Sequence, residues 1–468
     1  MAGNLYLLVF KIRYIKTLTM DKDTAKTSDK QEKFLFSLPE AQNGKRIQVD
    51  FSAPEISSNG GLALLGNMKG SFAEKLAALI PDYRNRMFIA HTYRDMVCQR
   101  VGQILCGYED ANDCNILRGD SMLKTAVGRP LSDDSDLCSQ PTMTRLENHV
   151  SKRTLYNIGH LFLKEFVHSY ETAPKRIVMD VDDTNADTYG AQQLTLFNDY
   201  YGEYCYMPML IFDGLTGRLI LPLLRPGRRN KSLNVFGILR RVFEYLHKCW
   251  PKTIIELRGD SHFCCHEFMD WAHDKWYVRY TTGLSGNQKL LEEVGKQRRR
   301  AEGDFKRQGK PIQRFYKLDY KAKSWKYAQR VVAKIEVNEH GTNIRFVVTK
   351  NRNNKPETIY RRYCERGIME LWIKDLKYLN ADRMSCHKFC ANHFRLFLHA
   401  AAFIMAHKVK TTLFKGTLVE KFTMDSFIKR IMLSAVYIKE KKTYIRISFS
   451  PKHRHRQEME LALGRLTA

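Results

Sequence analysis

Asp180, Asp182 and Asp183 close one strand-like stretch, RIVMDVDDT, and Asp260 closes another, TIIELRGD. A carboxylate at the end of a buried strand is costly unless something cationic neutralises it. Asp is also common in exposed turns and caps; one acidic strand end fits that role, but two in one sheet weaken it. Strand alternation puts Asp180 and Asp182 on one face and Asp183 on the other. Spacing alone does not choose among the three.

A third carboxylate lies on YCERGIMELWIKDLK. Tyr363, Arg366, Glu370 and Lys377, at offsets of 0, 3, 7 and 14, fall within a ~60° stripe of a helix that turns ~100° per residue. One face would then present a hydroxyl, a guanidinium, a carboxylate and an ammonium along about 20 Å. Such a face suits phosphodiester chemistry, because a carboxylate can bind metal while Arg and Lys hold phosphates. A solvated face with a Glu370–Lys374 pair has the same composition.

These groups need a scaffold, and the hydrophobic period supplies one. From Gly60 to about Leu155 the apolar residues recur every three or four positions, which predicts helices. Ser139, Thr142 and Thr144 around Pro141 mark a helix restart. At Lys175 the period turns extended. Hairpin strands are followed by a helix capped by Ser232, a strand, a helix and a strand, which predicts an α/β layer with a mixed sheet. The basic run KQRRRAEGDFKRQGK precedes alternating segments that read as an inserted β unit at 285–350. The domain reading is therefore a flexible arm at 1–50, a helical DNA-binding domain at 51–170 and a catalytic α/β domain at 171–284 and 351–410. The inserted β subdomain at 285–350 interrupts it, and a basic tail occupies 411–468.

Charge points to the partner. Lys plus Arg number 77 against 50 for Asp plus Glu, giving +27 over 468 residues. That surplus is scattered over the chain rather than gathered beside an apolar segment, which favours a nucleic acid over a membrane. No run approaches the ~18 apolar residues of a membrane span, and the N-terminus lacks a signal-peptide pattern. Eleven Cys, an odd number without CxxC pairs, suit free thiols in a cytoplasmic protein. Cys386, His387, Cys390 and His393 are too closely clustered for the usual split zinc site. Gln192, Gln193, Asn198 and Tyr201 form a polar stretch that could meet DNA. Trp325 suits core packing better than base stacking, and His262 reads as a loop histidine.

Tyr363-x2-Arg366-x3-Glu370-x6-Lys377 resembles the Y-x2-R-x3-E-x6-K signature of insertion-sequence DDE transposases of the cut-and-paste branch. MDVDDT and LRGDSHF resemble that family's first and second Asp motifs. SSNGGLALL, GYEDANDCNILRGD and SQPTMTRLEN resemble one bacterial branch, so the likeness runs from about Phe51 to Lys408. It implies an RNase H-like catalytic domain in which Asp182, Asp260 and Glu370 hold two Mg²⁺ ions, with Mn²⁺ able to substitute. Tyr363, Arg366 and Lys377 would contact the DNA backbone. The implied partners are double-stranded terminal repeats and target DNA, bound by a homodimer at the bacterial nucleoid. An RNase H-like nuclease without strand transfer and a domesticated DNA-binding protein are the alternatives.

Overall fold

The computed structural model describes residues 52–132, 135–228 and 235–467, with the backbone of two paired strands, Phe34–Phe36 and Ile47–Val49. The expected arm at 1–50, those strands apart, and the Ser232 cap lie outside the described residues. Contacts divide the chain into Met1–Pro54 and Glu55–Ala468, and the main sheet with its helices belongs to the second unit.

Eight strands form this sheet: β1 (Arg176–Asp183), β2 (Met209–Asp213), β3 (Leu219–Leu223), β4 (Ile254–Gly259), β5 (Val278–Leu284), β6 (Ile312–Tyr320), β7 (Gln329–Asn338) and β8 (Gly341–Thr349). Their spatial order is β6-β7-β8-β5-β4-β1-β2-β3. β1, β4 and β5 are parallel, while β2 pairs antiparallel with β1 and with β3. Ile177, Val178, Met179, Ile255, Leu257, Val278 and Tyr280 are buried, as parallel strands covered on both faces require. Register then places the chemistry. Gly259 pairs with Val181, so Asp260 and Asp182 each extend one residue past the same rung.

The helices that matter are α1 (Tyr93–Leu105), α2 (Gln140–His149), α3 (Lys152–His168), α4 (Val235–Cys249), α5 (Gly295–Gln308), α6 (Pro356–Cys364), α7 (Ile368–Tyr378) and α8 (Phe389–Thr412). α2 starts where the sequence predicted, with Pro141 in its first turn. α8 is apolar almost all round and packs on α1, α2, α3 and β3. By length and composition it could cross a membrane, yet 78% of its apolar window is buried inside the protein. Within it, Arg395 pairs with the buried Glu147 of α2 at 3.3 Å. The N-terminal helices thus wrap the core helix and share a unit with the sheet, rather than standing apart as a domain of their own.

Two further expectations are corrected. The strands at 285–350 are antiparallel, but β8 pairs with β5, so they extend the main sheet instead of forming a separate β subdomain. Their basic leader is helix α5, steadied by the Arg298–Glu302 pair at 2.7 Å and ended by Gly309 at φ 64°. Its few apolar residues hid the helical period. The segment 411–468 is no tail. Val436–Glu440 pairs with Ile445–Phe449 and with Ile56–Ser57, and Arg456–Thr467 is helical. Phe414, Val419, Phe427, Ile431 and Met459 are buried, a pattern masked in the sequence by interleaved Lys and Arg. This segment lies so close to Gly61 that a Cβ there would run into the Cα of Met432 and the carbonyl of Ile431. Gly61→Ala should therefore destabilise the fold by about 1–3 kcal/mol, as overpacking does. A denaturant midpoint equal to wild type would contradict the close approach.

A candidate active site at the carboxyl ends of the parallel strands

Asp182, Asp260, Glu370 and Arg366 line one cleft of ≈630 Å³, with Phe197, Tyr200 and Arg228 among its other walls. β1 delivers Asp182 and β4 delivers Asp260 through the shared register, while Glu370 arrives on the first turn of α7. Asp260 caps the 3₁₀ turn Ser261–Phe263: its carboxylate accepts from the His262 backbone N–H at 2.8 Å and from His262 Nδ1 at 2.6 Å. Burial pushes the Asp260 carboxyl up, but the His262 hydrogen bonds and charge, helped by Arg366, outweigh it and leave the group below the usual carboxylate range. His262, expected as a loop histidine, orients a candidate ligand.

Asp182 behaves differently. Burial pushes its carboxyl up to about 6, against the pull of Arg366 and the Asp183 N–H, and the negative charge of Asp260 adds to the rise. Its guanidinium partner, Arg366, stands 3.7 Å away. The other two acids of the strand end are committed elsewhere. Asp180 is fully buried and accepts a bidentate pair from Arg258 at 2.5 and 2.7 Å. Arg258 also donates to the Arg362 carbonyl at 2.7 Å and to Glu365 at 3.0 Å, so this ion pair seats the junction of α6 and α7. Asp183 pairs with Arg225.

The stripe Tyr363–Lys377 is not one helix. α6 ends at Cys364, Glu365–Gly367 forms a 3₁₀ turn and α7 comes next. Arg366 and Glu370 reach the cleft. Tyr363 sits behind Asp260: a Cβ on Gly283 would come within 2.8 Å of the Tyr363 hydroxyl and of the Ser261 N. Lys377 does not line the cleft. Its Nζ donates to the backbone and side-chain oxygens of Asn185, each at 3.1 Å, and lies 3.5 Å from Asp382. It thus ties α7 to the loop after Asp182.

Of the polar stretch expected to meet DNA, Gln192 and Asn198 are buried and Gln193 and Tyr201 exposed, and the three amides are engaged within the chain. Gln192 donates to the carbonyls of Met384 and Cys386, Gln193 accepts from Phe389 at the start of α8, and Asn198 donates to the Gly227 carbonyl. Backbone groups needing partners claimed these amides. Tyr201 does border the cleft. Trp325 packs edge-on against Tyr320 at 5.4 Å. Cys386 faces Glu147, and His393 packs on Phe397.

No three His, Cys, Asp or Glu side chains among the described residues are grouped tightly enough to form a ready metal cage. The donor chemistry nevertheless fits a hard divalent cation, since five carboxylates line the cleft, Asp183 and Asp199 beside Asp182, Asp260 and Glu370, and no thiol does. Burial raises Asp182, the charge of Asp260 adds to the rise, and a bound cation would favour the ionised carboxylate against both. Sequence reasoning missed Phe197, Tyr200 and Arg228 on the cleft wall. The density of aromatics in LFNDYYGEY was the available signal.

Comparison with known proteins gives three findings. No curated protein matches significantly. Among solved structures, a piggyBac transposase synaptic complex with hairpin DNA, determined by cryo-EM, aligns with a TM-score of 0.44 and 11% identity. That alignment covers 81% of this chain and 82% of that one. The family model described as transposase DDE domain group 1 matches residues 39–468, nearly the whole chain, and the chain therefore belongs to that family of DDE transposases.

Proposed function

We propose that the chain cleaves DNA at the ends of its element and joins those ends to target DNA, with Asp182, Asp260 and Glu370 as metal ligands. The observation that carries this reading is the convergence of the three carboxylates with Arg366 on one cleft. The arrangement of three antiparallel strands beside two more parallel ones supports an RNase H-like core. Bound there, Mg²⁺ or Mn²⁺ would activate the attacking oxygen and stabilise the leaving one. Arg366 neutralises Asp182 in the free protein; its five N–H donors suit a phosphate flanking the scissile bond. Tyr363 braces the Asp260 turn from behind and can offer its hydroxyl to the backbone. Lys377, held by Asn185, is a positioning residue for the end of β1 as well as a candidate DNA contact. Cleavage and joining are one displacement with different nucleophiles, so one site serves both. Pairing of two ends calls for a dimer on DNA, acting at the nucleoid of the bacterial cytoplasm.

A supercoiled donor plasmid bearing the element's ends tests this with Mg²⁺. Wild type should excise and insert the segment, and Glu370→Gln should bind the ends without cutting them. Excision at the wild-type rate by Glu370→Gln would remove Glu370 from the site. His262→Ala should raise the Mg²⁺ concentration for half-maximal cleavage by about 10- to 100-fold, the usual effect of losing a group that orients a ligand. DNA binding in chelator should be unchanged. An unaltered Mg²⁺ dependence would show that His262 does not orient Asp260.

A further inference from the structure

Arg279, Arg330, Lys350 and Arg352 line a second cavity, of ≈530 Å³, together with His273 and Gln329. It lies at the far end of the sheet from the carboxylates. Arg279 is four residues before Gly283, the neighbour of Asp260, which at ~3.3 Å per residue places the two about 13 Å apart along β5.

Three of the four cations are held in place by neutral groups. Arg279 donates to the carbonyls of Trp276 at 2.7 Å and Val278 at 3.0 Å. Arg330 donates to those of Asn351 at 2.9 Å and Asn354 at 2.8 Å. Lys350 donates to those of Ala272 and Lys275. Asn351 in turn accepts from the backbone of Asn353 and Asn354, each at 3.2 Å, which fixes the loop. No ion pair joins any of the four to a carboxylate among the described residues, whereas the buried Arg258 and Arg395 have Asp180 and Glu147. Arg330 is only 8% exposed, and its Nε is buried without a hydrogen-bond partner. The acids that act on two of them without pairing, Asp274 on Lys350 and Asp319 on Arg330, have side chains 88% and 73% exposed. Burial pushes the Lys350 ammonium down to about 8, and the charges of Arg279, Lys275 and Arg352 push the same way. Gathering like charges in a concavity without counter-ions is unfavourable unless an anion from outside completes the site.

We propose that this cavity is a second DNA-backbone site, taking a phosphodiester remote from the one that reacts. Arginine forks match its two anionic oxygens, and the overall charge of +27 suits a polyanion better than a lone small ion. The inference rests on the reading of the chain as a DNA-cutting enzyme.

The test measures binding of the full chain to an end-bearing duplex across a salt series in chelator, beside cleavage with Mg²⁺. Arg279→Ala/Arg352→Ala should weaken binding about tenfold near 0.1 M salt and make the log–log slope shallower by about 1–2, roughly one per lost phosphate contact. Arg352→Lys should keep the wild-type slope. Arg352 is exposed, so Arg352→Glu alone gives the same reading should the double variant fold poorly. If wild type binds and cuts but the charge-removing variants keep its slope, the second site is wrong while the transposase reading stands. If wild type neither binds nor cuts the duplex, both fall. Inorganic phosphate serves as the competing probe: thermal stabilisation of wild type only, with unchanged DNA slopes, would make the cavity a small-anion site and overturn the proposal.

Discussion

Asp260→Asn should lower cleavage and joining by at least about 10³-fold, equivalent to roughly 4 kcal/mol of transition-state stabilisation. Asp260 is the acid whose charge is best protected: His262 grips both of its oxygens, and its carboxyl stays below the usual range despite burial. Asp182→Asn should be as inactive, yet with the opposite effect on folding. Its carboxyl is raised to about 6, so the native state resists its ionisation. The resulting penalty is absent below the unfolded pKa near 4, grows as pH rises through about 6, and is complete above it. At ~1.36 kcal/mol per unit the penalty reaches at most about 3 kcal/mol, less what the solvent-facing fifth of the side chain screens. In chelator at pH 8, Asp182→Asn should therefore melt several degrees above wild type, and the gain should vanish near pH 4. Thermal melts at the two pH values decide it; equal melting at pH 8 would mean that Asp182 is not destabilised by its surroundings.

Arg258→Met should be the most damaging change outside the cleft, at about 3–5 kcal/mol of stability. It would leave Asp180, fully buried, with no counter-charge and would free the Arg362 carbonyl and Glu365. Burial already pushes the Asp180 carboxyl up against the pull of Arg258. Removing both charges, in Asp180→Asn/Arg258→Met, should recover much of the loss, because the penalty comes from the orphaned ion rather than from the missing pair. Catalysis should stay impaired in the double variant, since the pair also seats the turn carrying Arg366. A double variant as unstable as Arg258→Met alone would locate the cost in packing rather than in charge.

The parallel centre of the sheet and its acidic ends were legible because their residues are apolar and consecutive, and because each run stops at a carboxylate. Spacing left the choice among Asp180, Asp182 and Asp183 open and only the motif resemblance pointed to Asp182; the Arg partners of the other two, Arg258 from β4 and Arg225 from beyond β3, are distant in sequence. The helix stripe was half legible. Periodicity brought Arg366 and Glu370 together, but the 3₁₀ turn and the grip of Asn185 on Lys377 are tertiary effects. Helix α5 was obscured by charge, and the folded segment after 411 by Lys and Arg alternating with its buried residues. The amides of Gln192, Gln193 and Asn198 looked free in the sequence because their partners, backbone groups of other loops, carry no sequence signal.

The most direct measurement is strand transfer of a pre-cut end, a duplex with a free 3′-hydroxyl, into supercoiled plasmid with Mg²⁺, comparing wild type with Glu370→Gln. The assay bypasses excision and reads the joining step alone. Covalent insertion by wild type and none by Glu370→Gln, with equal binding of the end, is the predicted result. Joining by Glu370→Gln at the wild-type rate, or plasmid nicking by wild type without any joined product, would contradict a transposase site built from Asp182, Asp260 and Glu370.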